Sequence, residues 1–180
     1  MPKEEIISKI IPVFRHHGYE GTTISMLSQA TGLKKASLYH HFQGGKEQMA
    51  AAVLEYIGNW LDTYIFEPLR SDKPPQKRLE AMCKGVEKFY ASGETPCILA
   101  VMSLGEADNL FHQQLEQSLN KWLDILSTVA EETGISSRKA RENAEDVIIT
   151  IQGALVLVRV TKDTEIFQRA IAKIPRILLE

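Results

Sequence analysis

Residues 18–42, GYEGTTISMLSQATGLKKASLYHHF, read as two short helices around a tight turn, entered from the end of a longer helix. Upstream, Ile6, Ile7, Ile10, Ile11 and Phe14 recur at three- and four-residue spacing, the apolar stripe of an amphipathic helix that Gly18 stops. Thr22 and Thr23 place hydroxyls where the next helix begins, with Thr23 the expected N-cap. Ile24, Leu27 and Ala30 are the inward positions of that second helix, and Gly32 stands where the chain must turn through positive φ. Leu33 plugs the turn. The third helix, from about Lys35 to Phe42, keeps only Leu38 and Phe42 for the core and leaves Lys35, Ser37, Tyr39, His40 and His41 for other faces. Isolated helices below roughly 12 residues are marginal in water. This one must therefore be held by its neighbours while its polar, basic and aromatic outer face stays free for a partner. The pattern is that of a helix-turn-helix reader of DNA.

Composition is compatible with that pattern and excludes other classes. At 180 residues and 44% hydrophobic, the chain is long enough for a small reading domain and a larger body with its own core. No run approaches the roughly 18 apolar residues of a membrane span, and MPKEEIISK lacks the apolar block of a secretory signal, so a cytoplasmic location is expected. The net charge of −2 hides an asymmetry: residues 1–47 carry six Lys or Arg against four Asp or Glu, and residues 48–180 carry fifteen against nineteen. The excess of positive charge on the reader has the sign that DNA requires, though its size asks for placed contacts rather than a broad field. Cys83 and Cys97 match no zinc spacing and read as free thiols. The pairs His16-His17 and His40-His41 point about 100° apart on a helix and make no chelating face. No metal and no cofactor is expected. There is no HExxH, GxSxG, Walker loop or dinucleotide glycine pattern, and Cys83, Cys97 and His112 form no catalytic constellation, so an enzyme is not expected.

The run GYEGTT, the Gly32-Leu33 turn, SLYHHF and then Lys46-Glu47 together resemble the N-terminal domain of the TetR family of bacterial one-component transcriptional regulators. FQGGKE at 42–47 is most similar to an LmrA-like subgroup. The resemblance implies an all-α chain: a three-helix helix-turn-helix domain at 1–47, and a helical effector-binding and dimerisation domain at 48–180. It places Thr23, Tyr39, His41 and Lys46 at positions that hold phosphates, and Ser25, Lys35, Ala36 and Ser37 at positions that approach base edges; His40, another outward residue of the third helix, joins the candidate DNA contacts. Two departures stand out. Members commonly carry a capping serine where this chain has Lys34, which cannot cap and sets positive charge near the positive end of the helix. A phosphate contact by Lys34 would relieve that charge. Ala36, where glycine or proline is common, offers a methyl suited to a thymine methyl.

Beyond residue 47 the sequence predicts only helices: 46 to about 70, ended by Pro68 and SDKPP; 76 to about 92; a short apolar run at 97–104; 106–133; 136–160; and 164–179. VIITIQGALVLVRV at 147–160 is apolar nearly all round, and IFQRAIAKIPRILL at 166–179 adds a second stripe. A helix of the first kind must be covered on most sides. A homodimer through a four-helix bundle would do so, with Ile149, Gly153, Val156, Phe167, Ile171, Ile174 and Leu178 at the interface. Two paired readers would then meet successive major grooves of a palindromic operator. Trp60, Tyr64, Met82, Val86, Phe89, Tyr90, Met102, Phe111 and Trp122 form the candidate lining for a small, largely apolar effector, with Asp62, Glu106 and Asp108 as possible counter-charges for a cation. Two alternatives stay open: release triggered by oxidation of Cys97, which follows Pro96 and the SGET segment, and a body that binds a protein instead of a small molecule. Repression rather than activation is what the family resemblance implies.

Overall fold

The computed structural model describes all 180 residues and contains helices without strands. In chain order these are α1 (Lys3–Gly21), α2 (Ile24–Thr31), α3 (Lys35–His41), α4 (Gly45–Leu61), α5 (Glu67–Leu69), α6 (Pro75–Phe89), α7 (Ile98–Met102), α8 (Gly105–Glu131), α9 (Ser137–Thr161) and α10 (Glu165–Leu179). A π-helical turn (Asp62–Phe66) joins α4 to α5, and a 3-10 turn (Ala91–Gly93) follows α6. The chain divides into two compact units, Met1–Asn59 with Ile98–Leu115 and Trp60–Cys97 with Glu116–Glu180. The expected reader, 1–47, lies wholly in the first, which also takes in most of α4 and the segment Ile98–Leu115.

In the first unit, α1 buries Ile6, Ile10 and Phe14 completely, and Ile7 nearly so. Gly18 (φ 64, ψ −173) breaks this helix without ending it, because one further turn runs to Gly21. Thr23 caps α2 as expected, accepting a hydrogen bond from the Met26 N–H at 3.3 Å. Gly32 closes α2 in the left-handed region at φ 72. The inward set of α2 differs at one position: Ala30 is exposed and Thr31 is buried instead. The Thr31 hydroxyl donates to the Leu27 carbonyl at 2.8 Å, which satisfies its polar atom inside the core.

In the second unit, α10 packs along α9 and against α6. The meeting surfaces are Leu79, Met82 and Val86 of α6, Val147, Ile151 and Val158 of α9, and Phe167, Ile171, Ile174 and Leu178 of α10, all 3% exposed or less. Two polar ties accompany them. Arg78 donates to the Leu69 carbonyl at 3.0 Å and grips the Glu132 carboxylate, which that hydrogen bond holds below its ordinary pKa. Asn143 donates to the Leu178 carbonyl at 3.1 Å. The helix expected to run unbroken from 46 to about 70 instead contains the π turn, in which the Glu67 N–H reaches the Asp62 carbonyl. Gly85 shows what makes room for it. A Cβ on Gly85 would lie 2.7 Å from both the Tyr64 carbonyl oxygen and Ile65 Cδ1, so α6 approaches the widened turn through bare backbone.

Candidate functional site

The turn between α2 and α3 is knitted by side chains as well as backbone. Ser28 donates to the Leu33 carbonyl at 2.5 Å, and the Leu33 N–H donates to Thr31 Oγ1 at 3.3 Å. Sequence reading missed both hydroxyls because Ser and Thr inside a short helix carry no distinctive spacing. Lys34 stands at the N-cap of α3 in extended backbone, and no side chain caps that helix. Its carbonyl accepts from Ser37 at 2.9 Å and Leu38 at 3.2 Å, starting the helix, while its ammonium is left in solvent. Leu38 and Phe42 are wholly buried and anchor α3, whereas Ser25, Lys35, Ala36, Tyr39 and His40 are exposed and Ser37 and His41 are half-exposed. Tyr39 is 47% exposed, which makes it a surface residue and not a rim of the core.

Lys46 behaves differently from the rest of the expected contact set. Its ammonium donates to the Tyr19 carbonyl at 2.9 Å and lies 4.2 Å from the centre of the Tyr19 ring, so it is engaged within the unit while the residue stays half-exposed. Tyr19 also meets Phe111 edge-on at 5.7 Å. Burial, with the Glu106 and Glu47 carboxylates adding to it, pushes the Tyr19 phenol above its ordinary value.

The expected effector lining is divided. Met102 and Phe111 belong to the first unit, and both are buried there. In the second unit Trp60 stacks with Tyr64 at 4.7 Å and with Phe89 at 4.9 Å, and Phe89 meets Tyr90 edge-on at 4.9 Å. Lys88 lies 5.2 Å from the Tyr64 ring centre, and Tyr64 itself is 46% exposed. Met82 and Val86 are plain core. Trp122 is buried against Phe66, and its indole N–H has no hydrogen-bond partner. Asp62 is paired with Lys121, and Asp108 with His112 at 3.0 Å. Glu106 is exposed, with its backbone N–H held by the Glu20 carboxylate at 2.7 Å. Cys97 is 5% exposed, and its sulfur accepts from the Tyr90 hydroxyl and from Gln152 Nε2, each at 3.4 Å. Cys83 sits near the Ile171 carbonyl, where burial pushes its thiol up to about 12.

On α9 and α10 the expected interface residues fall on two sides. Phe167, Ile171, Ile174 and Leu178 point into the protomer's own core. The apolar side chains left in solvent are Ile149 (65%), Val156 (62%), Leu157 (52%) and Val160 (78%). Beside them a groove of about 420 Å³ runs between the two helices, lined by Gly153, Ala154, Ile166 and Ala170 among others. No helix is long and apolar enough to cross a membrane.

Residues 6–53 match the model of the tetR family of bacterial regulatory proteins. Residues 75–173, more than half of the chain, match the C-terminal domain of LmrA/YxaF-like transcriptional regulators. The HTH-type transcriptional regulator LmrA of Bacillus subtilis is 25% identical over 166 residues, spanning 90% of this chain and 88% of that protein. A TetR regulator from Legionella pneumophila superposes with a TM-score of 0.84 at 18% identity, covering 98% of this chain and 96% of the other. A crystal structure of AibR with isovaleryl coenzyme A and operator DNA superposes with a TM-score of 0.60 at 18% identity, covering 83% and 85%. The relatives are transcriptional regulators and not enzymes. With both family models matched in order along one all-helical chain, the protein belongs to the TetR family of bacterial regulators and carries a C-terminal domain of the LmrA/YxaF-like type.

Proposed function

We propose that this protein is a homodimeric repressor acting in the cytoplasm, released from a palindromic operator by a small, largely apolar ligand. The observation that carries the DNA half of this reading is α3, fastened by Leu38 and Phe42 and presenting Lys35, Ala36, Tyr39 and His40 to solvent. Lys34, Thr23, Tyr39 and His41 hold phosphates; Ser25, Lys35, Ala36 and Ser37 face base edges, with His40 alongside. Direct contact by Lys46 is not part of this reading, since its ammonium is already engaged by Tyr19. Pairing through the exposed apolar side of α9 sets two α3 helices about 34 to 36 Å apart, the spacing of successive major grooves. Ligand favours a second arrangement of α4, shifting the population of readers away from that spacing.

The aromatic group around Trp60, Tyr64, Phe89 and Tyr90 is the part of the expected lining that stays together, and this reading assigns the ligand to it. That one protein of this fold was solved with an acyl-CoA and operator DNA supports the pairing of the two activities on one chain. The test is binding of the purified protein, at stated salt, to the DNA upstream of its own gene, with and without a panel of hydrophobic cations and aromatic compounds. Specific binding abolished by one compound is the expected result. Operator affinity indifferent to every compound would remove the ligand from the mechanism.

A second reading has one observation in its favour: two donors, Tyr90 and Gln152, converge on the Cys97 sulfur. In that case an oxidant triggers release, and Cys97→Ser abolishes the response. A ligand-driven repressor keeps its response in that variant.

A further inference from the structure

The three residues after Gly18 have little helix of their own to hold them. Gly18 turns the chain out of α1 at φ 64, and Tyr19, Glu20 and Gly21 form a single turn before Thr22 and Thr23 open α2. Short helical pieces do not hold themselves. This one is fixed from three directions. Thr22 donates its hydroxyl to the Gly18 carbonyl at 2.6 Å, and Lys46, in the first turn of α4, donates to the Tyr19 carbonyl. The third fixing comes from the start of α8, where Glu20 Oε1 accepts the Glu106 N–H at 2.7 Å and Phe111 packs on the Tyr19 ring.

The start of α8 has been left for this carboxylate. The nearby hydroxyl, Ser103, is turned away to the Ala100 carbonyl at 3.1 Å, and Leu104 has no acceptor side chain. Gly105 is in the left-handed region at φ 60, and a Cβ there would lie 2.2 Å from Glu20 Oε1. Two independent demands, backbone conformation and space for the carboxylate, thus fall on the same glycine. The charge suits the position, because an anion at a helix N-terminus meets unpaired N–H groups and the positive end of the helix dipole.

We infer that Glu20 is a positioning residue for operator binding: by capping α8 from 86 positions away it fixes the Tyr19–Gly21 turn, and through it the Thr22-Thr23 start of the helix-turn-helix. Glu20 touches no DNA in this account. It acts through the segment that carries Thr23, the residue that both caps α2 and holds a phosphate. The inference rests on the DNA-reading role proposed above.

The experiment uses the full-length protein and duplex DNA selected from a random pool by the wild type. Operator affinity is compared for wild type, Glu20→Gln and Glu20→Ala at a temperature where melting curves show all three folded. Gln keeps an acceptor for the Glu106 N–H and loses the charge; Ala loses both. Glu20→Ala is expected to weaken binding about tenfold or more, with Glu20→Gln staying within about threefold of wild type and the salt slope unchanged in both, because no phosphate contact is removed. If both variants bind equally more tightly, Glu20 acts by its charge alone and the positioning role is wrong. Affinity within about twofold in all three proteins also overturns it. Should Glu20→Ala fold poorly, Gly105→Ala displaces the carboxylate without deleting it and is expected to show the same weakening.

Hydrogen exchange gives a readout that does not depend on DNA. Glu20→Ala is expected to speed exchange at Glu106 and across residues 18–24 together, and loss confined to Glu106 would refute the coupling. A selection that enriches no sequence, alongside coupled exchange, would fault the DNA-reading role and leave the clamp standing.

Discussion

Val156→Asp provides the sharpest test of pairing through α9. Fully burying a valine is worth roughly 2 kcal/mol. Since Val156 is 62% exposed in the single chain, covering it recovers about 1.2 kcal/mol per copy and about 2.5 kcal/mol per dimer. At about 1.4 kcal/mol per tenfold, losing that contact alone weakens association roughly 60-fold. Aspartate adds the cost of stripping water from a buried charge on each copy, several kcal/mol more, so the dimer Kd should rise by at least about a thousandfold. Sedimentation velocity from sub-micromolar to tens of micromolar protein reads this directly. The substitution leaves the protomer's own core alone, so the monomer should keep its helical circular dichroism. Ile151→Asp, at a wholly buried position of the same helix, should unfold the chain instead. A Val156→Asp protein that remains dimeric at sub-micromolar concentration would refute this interface, and a wild type that is monomeric at tens of micromolar would refute pairing altogether.

Removing the Lys34 ammonium by Lys34→Ala should lower the slope of log affinity against log salt by about one, and an unchanged slope would take Lys34 off the DNA backbone. Because burial, reinforced by Glu87 and Glu80, pushes the Cys83 thiol up to about 12, its alkylation at mildly alkaline pH should be about a thousandfold slower in the folded chain than in the unfolded one. The same shift means the folded state holds this proton more tightly, so its contribution to stability is complete below pH 9.0 and lost as pH climbs toward 12; denaturant melts of Cys83→Ala should lack that part of the alkaline loss. Gly85→Ala drives a methyl into the Tyr64 carbonyl and should cost about 1 to 3 kcal/mol in chemical denaturation despite alanine's better helix propensity. A neutral or stabilising result would mean that the π turn yields freely.

The reader was legible because its signals are local. Thr23 caps, Gly32 turns left-handed and Leu38 anchors for reasons contained in a few neighbouring residues. The Lys46–Tyr19 contact was not legible, since nothing near Lys46 in sequence shows that the Tyr19 carbonyl waits 27 positions upstream. The same limit hid the trans cap by Glu20. On α9 and α10 the stripes were visible but their assignment was not. A helix apolar on most sides has no periodicity to distinguish the side that meets its own domain from the side that is left over, and α10 turned Phe167, Ile171, Ile174 and Leu178 inward. Aromatic residues posed a similar difficulty for the effector lining. Composition groups Phe111 with Trp60, whereas chain topology puts them in different units.

The π turn at Asp62–Phe66 gives α4 an unusual tolerance to a change in chain length. A deletion inside an ordinary helix shifts every following side chain by about 100° and breaks the packing on one side of the cut. Here the helix already carries one residue more than regular winding requires. Deleting Thr63 would let regular winding run from α4 into α5 while Ile65 and Phe66 remain joined to the same downstream backbone. Single-residue gaps among relatives of this chain should therefore gather at this turn more often than along α4 itself.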